Sequence, residues 1–110
     1  MATYSGKILA EGQLPNAKGT LYTCPALTVT YIKFMAVTNE VGAGTELVVI
    51  YVKKSGSTSR VVCNGTLEEK EMIRVLDDGE TLELSAGDLI EGETTTATTV
   101  DYVITGVEET

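Results

Sequence analysis

Thr45-Glu46-Leu47-Val48-Val49-Ile50-Tyr51-Val52-Lys53 is the stretch on which the fold turns. Both alternation sets are apolar: Leu47, Val49 and Tyr51 on one, Val48, Ile50 and Val52 on the other. A strand that is apolar on both faces is covered on both sides. One face therefore meets a core, and the other is placed to meet a partner subunit. The apolar run from Leu47 to Val52 is far too short to cross a bilayer as a helix, which takes about 20 residues.

Working outward, Lys54-Ser55-Gly56-Ser57-Thr58 reads as a hairpin tip and Ser59 to Cys63 as the returning strand, with Asn64-Gly65 as a further turn. Upstream lie three strands: Lys7 to Ala10, Gly19 to Cys24 (stopped by Pro25) and a long Thr28 to Thr38. The glycines at 42 and 44 make residues 39–44 a turn. Downstream, residues 67–72 are either one helical turn or a polar crossing loop. Met72 to Leu76 is a strand, and Asp77-Asp78-Gly79 a turn. Glu80 to Ser85 alternates with Leu82 and Leu84 inward and Thr81, Glu83 and Ser85 outward. Ala86-Gly87-Asp88 turns, Leu89 to Gly92 is a short strand, Thr94 to Thr99 a polar loop or edge, and Val100 to Val107 the last strand. The spacing predicts an all-β, single-domain antiparallel β-sandwich, jelly-roll-like, of eight or nine short strands over 1–110, with a short N-terminal arm, 1–5.

Composition agrees. Thr, Val, Ile, Tyr and Phe fill 41 of 110 positions, and no segment keeps a helical period for long. The chain opens without a charged segment followed by an apolar one, so no signal peptide is expected. Cys24 and Cys63 are then expected to be free thiols in a reducing compartment.

Chemistry is sparse. There is no His and no Trp, which removes the commonest general base and metal ligand. Asp77, Asp78, Glu80 and Asp88 could offer oxygens to Ca²⁺, but the alternating ligand pattern is missing and Asp-Gly is turn chemistry. Glu68/Glu69 and Glu91/Glu93 lack an aromatic sugar platform. No phosphate-binding loop is present. The expectation is no enzyme, no cofactor and no metal.

Charge is uneven along the chain. Residues 1–65 hold six Lys/Arg and three Asp/Glu; residues 66–110 hold two and thirteen, for a net charge of −8. An acidic chain is a poor ligand for nucleic acid or an anionic membrane, so neither is expected as a partner. Lys33, Lys53, Lys54 and Arg60 are instead candidates to face acidic neighbours, alongside the apolar candidates Leu47, Val49 and Tyr51. Tyr4 is the candidate anchor of the N-terminal arm.

A set of phrases taken in order resembles a known group. They are Gly12-Gln13-Leu14-Pro15, Gly19-Thr20-Leu21-Tyr22-Thr23-Cys24-Pro25-Ala26, the long strand ending in Asn39, Tyr51-Val52-Lys53, Leu84-Ser85-Ala86-Gly87-Asp88-Leu89-Ile90-Glu91-Gly92, and residues 100–109. The chain resembles small β-sandwich virion proteins of tailed bacteriophages. That resemblance implies a capsid decoration (cement) protein, on the outer surface of the virion after synthesis in the host cytoplasm. Its partners would be the major capsid protein and copies of itself, as a homotrimer. A tail-associated or host-adhesion module that binds carbohydrate is the competing implication.

Overall fold

The computed structural model describes residues 3–40, 44–76 and 80–110. Its strands are β1 (Tyr4–Gln13), β2 (Gly19–Thr23), β3 (Val29–Asn39), β4 (Glu46–Lys53), β5 (Arg60–Leu67), β6 (Met72–Leu76), β7 (Leu82–Leu84), β8 (Leu89–Thr94) and β9 (Val100–Glu109). The first sheet runs β1-β9-β3, with β6 and β7 sharing the far side of β3; the second runs β2-β8-β4-β5. Every pairing is antiparallel.

The registers obey one rule. Tyr4 pairs with Glu109, Thr23 with Leu89, Thr38 with Met72 and Val52 with Arg60. Partners in these ladders lie almost equally far from the two ends of the chain. The molecule is thus one long hairpin, bent at residues 54–59, whose arms stay together while they wrap into a sandwich. The β3–β9 and β4–β8 ladders are the seams that wrapping closes. This is the jelly-roll path, the architecture expected from the strand spacing.

Between the sheets lies an apolar core. Ile32, Met35, Val37 and Ile104 from the first sheet meet Val48, Ile50, Leu67 and Ile90 from the second, all fully buried. β4 does what its double alternation implies: Val48, Ile50 and Val52 are buried while Leu47, Val49 and Tyr51 point outward. Burial of each such aliphatic side chain stabilises the fold by about 1.5–3 kcal/mol. Five register shifts interrupt the ladders, leaving Leu9, Leu21, Lys33, Val62 and Val75 as extra residues. Each extra residue switches the facing of the rest of its strand. β3 therefore buries Thr30 and Ile32 before Lys33, and Met35, Val37 and Asn39 after it. At Gly106 a side chain would collide with the Tyr31 carbonyl, so glycine there lets β9 lie close on β3.

Several expectations change. Tyr4 and Ser5 are no free arm: they pair with Glu109 and Glu108, and Thr3 and Thr110 exchange two backbone hydrogen bonds of 2.9 Å. The edge strand they begin is exposed along most of its length and so lacks the alternation that marks a strand. Asn64-Gly65 is no turn but lies inside β5. Gly65 serves close approach instead, because a Cβ there would sit 3.1 Å from Ile73 Cδ1. Residues 68–71 are a crossing turn, with Glu71 N–H donating to Glu68 O at 3.0 Å and Lys70 at φ 71°. Of the turn read at 39–44, Asn39 ends β3 and residues 41–43 lie outside the described residues, as do residues 77–79, read as a turn, and residues 1–2 of the arm.

Candidate interaction surfaces

Cross-strand partners point to the same face, so the registers define what each sheet shows to solvent. The second sheet shows Leu47, Val49, Tyr51 and Lys53 from β4. Beside them on the same side stand Leu89, the buried Glu91 and Glu93 from β8, and Val61, Asn64 and Thr66 from β5. Leu47 is 47% exposed, Val61 55% and the bulged Val62 46%. Tyr51 is fixed from two sides. Its hydroxyl donates to Glu93 at 2.9 Å, and Lys18 Nζ stands 5.1 Å from the ring centre. The Glu93 carboxylate, with burial adding to it, raises the Tyr51 pKa, so the hydroxyl stays a donor.

The structure brings some candidates together and separates others. Leu47, Val49, Tyr51 and Lys53 form one row, and Arg60 lies on the next strand opposite Val52. Lys54 turns to its own chain, pairing with Asp88 at 2.9 Å. Lys33 is a bulged residue on the other sheet and donates to Thr81 Oγ1 at 3.1 Å. Tyr4 is on that sheet too, 64% exposed, its hydroxyl donating to Glu109 at 3.2 Å.

The first sheet carries a surface that the sequence patterns do not disclose. Its outward residues fall into rows: Tyr4–Glu109–Val29, Gly6–Val107–Tyr31–Glu83, Ile8–Thr105–Phe34, Glu11–Val103–Ala36–Arg74 and Gln13–Asp101–Thr38–Met72. The middle is apolar except for exposed Lys33, which stands beside Phe34 and reaches Thr81, and the remaining charge sits at the margins. Tyr31 donates to Glu109 at 2.8 Å, and that carboxylate together with burial pushes its pKa up to about 12. Across the last two rows lies a concavity of about 420 Å³ over Ala36, Thr38 and Val103, rimmed by Glu11, Gln13 and Asp101. Only the registers could reveal this face, because its rows join residues from opposite ends of the chain. Leu27 also went unread: it is 94% exposed at φ 58°, a conformation unfavourable for a residue with a Cβ.

The charge asymmetry between chain halves does not survive folding as an asymmetry between faces, since nearly every ladder joins an N-terminal strand to a C-terminal one. Glu40, Glu46, Glu68, Glu69, Glu71 and Asp101 gather with Lys70 where β3 and β5 finish and β4 and β9 begin; at the opposite end Lys53, Lys54 and Arg60 stand among Asp88, Glu108 and Glu109.

Among the described residues, no group of three or more His, Cys, Asp or Glu is arranged to hold a metal. Among them, too, no helix is long and apolar enough to cross a membrane. Cys24 is buried, Cys63 is half-buried, and both are free thiols; burial raises the Cys63 pKa.

No family model and no curated protein matches the chain in sequence. Two solved structures are similar to it in shape. One is a chain of Bacillus endospore appendages, described as disulfide-linked pili. It has a TM-score of 0.53 and 12% identity over 97% of this chain and 86% of that one. The other is from infectious bursal disease virus, Gx strain, with a TM-score of 0.39 and 8% identity over 99% of this chain and 32% of that one. At such identities the first likeness is one of fold alone, and the second carries no argument.

Proposed function

We propose that this protein is a non-enzymatic structural subunit of a bacteriophage virion: a capsid decoration protein that binds the outer surface of the head, bridges capsomers and stabilises the shell. The observation that carries this reading is the outward row Leu47, Val49 and Tyr51. β4 already satisfies the core with its other face, so these side chains are held out for a contact outside the chain. Val61 and Val62 widen the strip, and Tyr51, clamped by Glu93 and Lys18, supplies a rigid aromatic at its end. The major capsid protein is the partner for this face, and copies of the protein itself the partner elsewhere.

A non-enzymatic role is supported by how the buried carboxylates are used. Asp88 and Glu46 are held by hydrogen bonds that organise loops, Glu91 accepts from Ser59, and the half-buried Glu108 pairs with Lys7 and accepts from Tyr22. The fold shared with an endospore appendage chain fits assembly from repeated copies. That structure is of disulfide-linked pili, whereas neither cysteine here is exposed. The competing reading, a carbohydrate-binding adhesion module, draws on Tyr4 and Tyr31 sharing Glu109.

Co-sedimentation with capsids assembled without the protein tests the proposal. The pair Leu47→Asp and Val61→Asp is expected to weaken capsid binding by at least about tenfold with an unchanged circular dichroism spectrum. Undiminished binding by that variant rejects the strip as the contact. Failure of the unaltered protein to bind capsids, with saturable binding to glycans lost in Tyr4→Ala, replaces this function with the adhesion reading.

A further inference from the structure

The second outward face is matched to itself. We propose that the outer face of the first sheet pairs with the same face of a second copy across a twofold axis that runs parallel to the strands between β9 and β3. This operation lays β9 over β3 of the second copy and β1 over its β6 and β7.

Every row then meets chemistry that suits it. Val103 faces Ala36, Val107 faces Tyr31 and Thr105 faces Phe34, so the apolar middle closes on itself, with the Lys33 ammonium engaged by Thr81. Asp101 faces Thr38 and Glu109 faces Val29, so no carboxylate of β9 opposes another. At the margins Glu11 of each copy comes opposite Arg74 of the other, because the two stand at opposite ends of one row. Neither has an ion-pair partner among the described residues. One row over, Met72, 49% exposed, comes opposite Gln13 and enters the concavity over Ala36 and Thr38. The hollow and the protruding side chain thus belong to the same surface and meet only through the twofold.

The size suffices. Four strands about 4.8 Å apart and about 10 residues long present roughly 600 Å² per copy, or about 1,200 Å² in total, the lower limit for a specific interface. Sheets packed face to face cross at about 30°, so the rows near the axis superpose best. A threefold ring needs two different patches that meet head to tail. A face complementary to itself makes a pair, in place of the trimer expected from the sequence. The pairing does not depend on the capsid reading.

Sedimentation of the purified chain from about 1 µM to 1 mM is expected to show a monomer–dimer equilibrium. Glu11→Lys and Arg74→Glu, each creating two like-charge contacts per dimer, should each raise the dimer Kd about tenfold. The double variant Glu11→Lys/Arg74→Glu should return to within about threefold of the original. Both positions are exposed in the single chain, so circular dichroism should be unchanged throughout. A monomer at every concentration, any oligomer unmoved by the single changes, or a double variant as weak as the singles overturns the proposal.

Discussion

Asp88 and Glu46 are buried carboxylates at opposite ends of the sandwich, and they are held in different ways. Asp88 accepts from the backbone N–H groups of Ser55 and Ser85, both at 2.9 Å, and from Lys54 at 2.9 Å. It ties the bend of the long hairpin to the turn before β8. Glu46 accepts from Thr96 N–H at 2.7 Å and from the hydroxyls of Thr99 at 2.9 Å and Thr94 at 3.3 Å, with no cation among the described residues. It shapes the loop that enters β9. In both, burial works to raise the pKa and is outweighed. The Thr96 N–H and the threonine hydroxyls hold Glu46 below its ordinary value, and the Ser55 N–H, Lys54 and the Ser85 N–H do the same for Asp88. The contrast shows one fold closing its two ends with the same functional group, once through two backbone N–H groups and a cation, once through one backbone N–H and two hydroxyls.

The two ends should differ in how much they lose. Asp88→Ala is expected to have the largest effect, about 2–3 kcal/mol in urea unfolding, because two backbone donors lose an ionised acceptor together. Glu46→Ala should cost less, about 1–2 kcal/mol. Thr94 and Thr99 already reach the carbonyls of Leu47 and Thr96 as alternatives, at 2.9 and 2.7 Å. An equal or reversed order would mean that the cation and the second backbone donor are not what separates the ends.

Acid comes next. The folded values of Glu46 and Asp88 lie below their ordinary values of 4.5 and 3.8 respectively. Their contribution is therefore complete above about pH 4.5 and is lost as pH falls through the lower folded values. Stability of the double variant Asp88→Ala/Glu46→Ala should fall less steeply below about pH 4 than that of the parent. Glu108, held down by the hydrogen bonds and charge of Lys7 and by Tyr22, keeps part of the slope. An unchanged slope between about pH 4 and 2 would show that neither group is ionised and held in the folded state. The smallest change is Lys54→Ala, at most about 1 kcal/mol, since that side chain is 56% exposed and its ion pair is screened. Adding about 1 M salt should shrink this difference and leave that of Glu46→Ala in place.

How much of the fold can be read from the chain depends on where the information lies. β4 was legible because Leu47 to Val52 carries both faces within six residues. Leu82 and Leu84 were legible by alternation, as were the tip at residues 54–58 and the loop of threonines. Of β1 only Lys7 to Ala10 was legible, since the rest of an edge strand with little burial has no period to detect. The extent of β5 was hidden by Asn64-Gly65, whose local signal is a turn while the contact that fixes it, with Ile73, comes from another strand. The row Leu47, Val49 and Tyr51 needed only one strand to be read. The row Glu11–Val103–Ala36–Arg74 needed three registers and the shifts at Leu9, Lys33 and Val75, none of which has a local signature.

The nesting of the hairpin arms also sets an order in time. β9 lies between β1 and β3, at the heart of the first sheet, yet it is the last of these strands to leave a ribosome. Until it emerges, β1 has no neighbour to bind, β3 lacks one whole side, and Ile104 is missing from the core. The β4–β5 hairpin can form early from neighbouring residues, while the outermost ladder must close a loop that spans almost the entire chain. Synthesis therefore delivers an incomplete sheet with open edges, and the native sandwich forms only once β9 is out. A stalled or shortened chain would present β1 and β3 as unpaired templates for strands of other molecules.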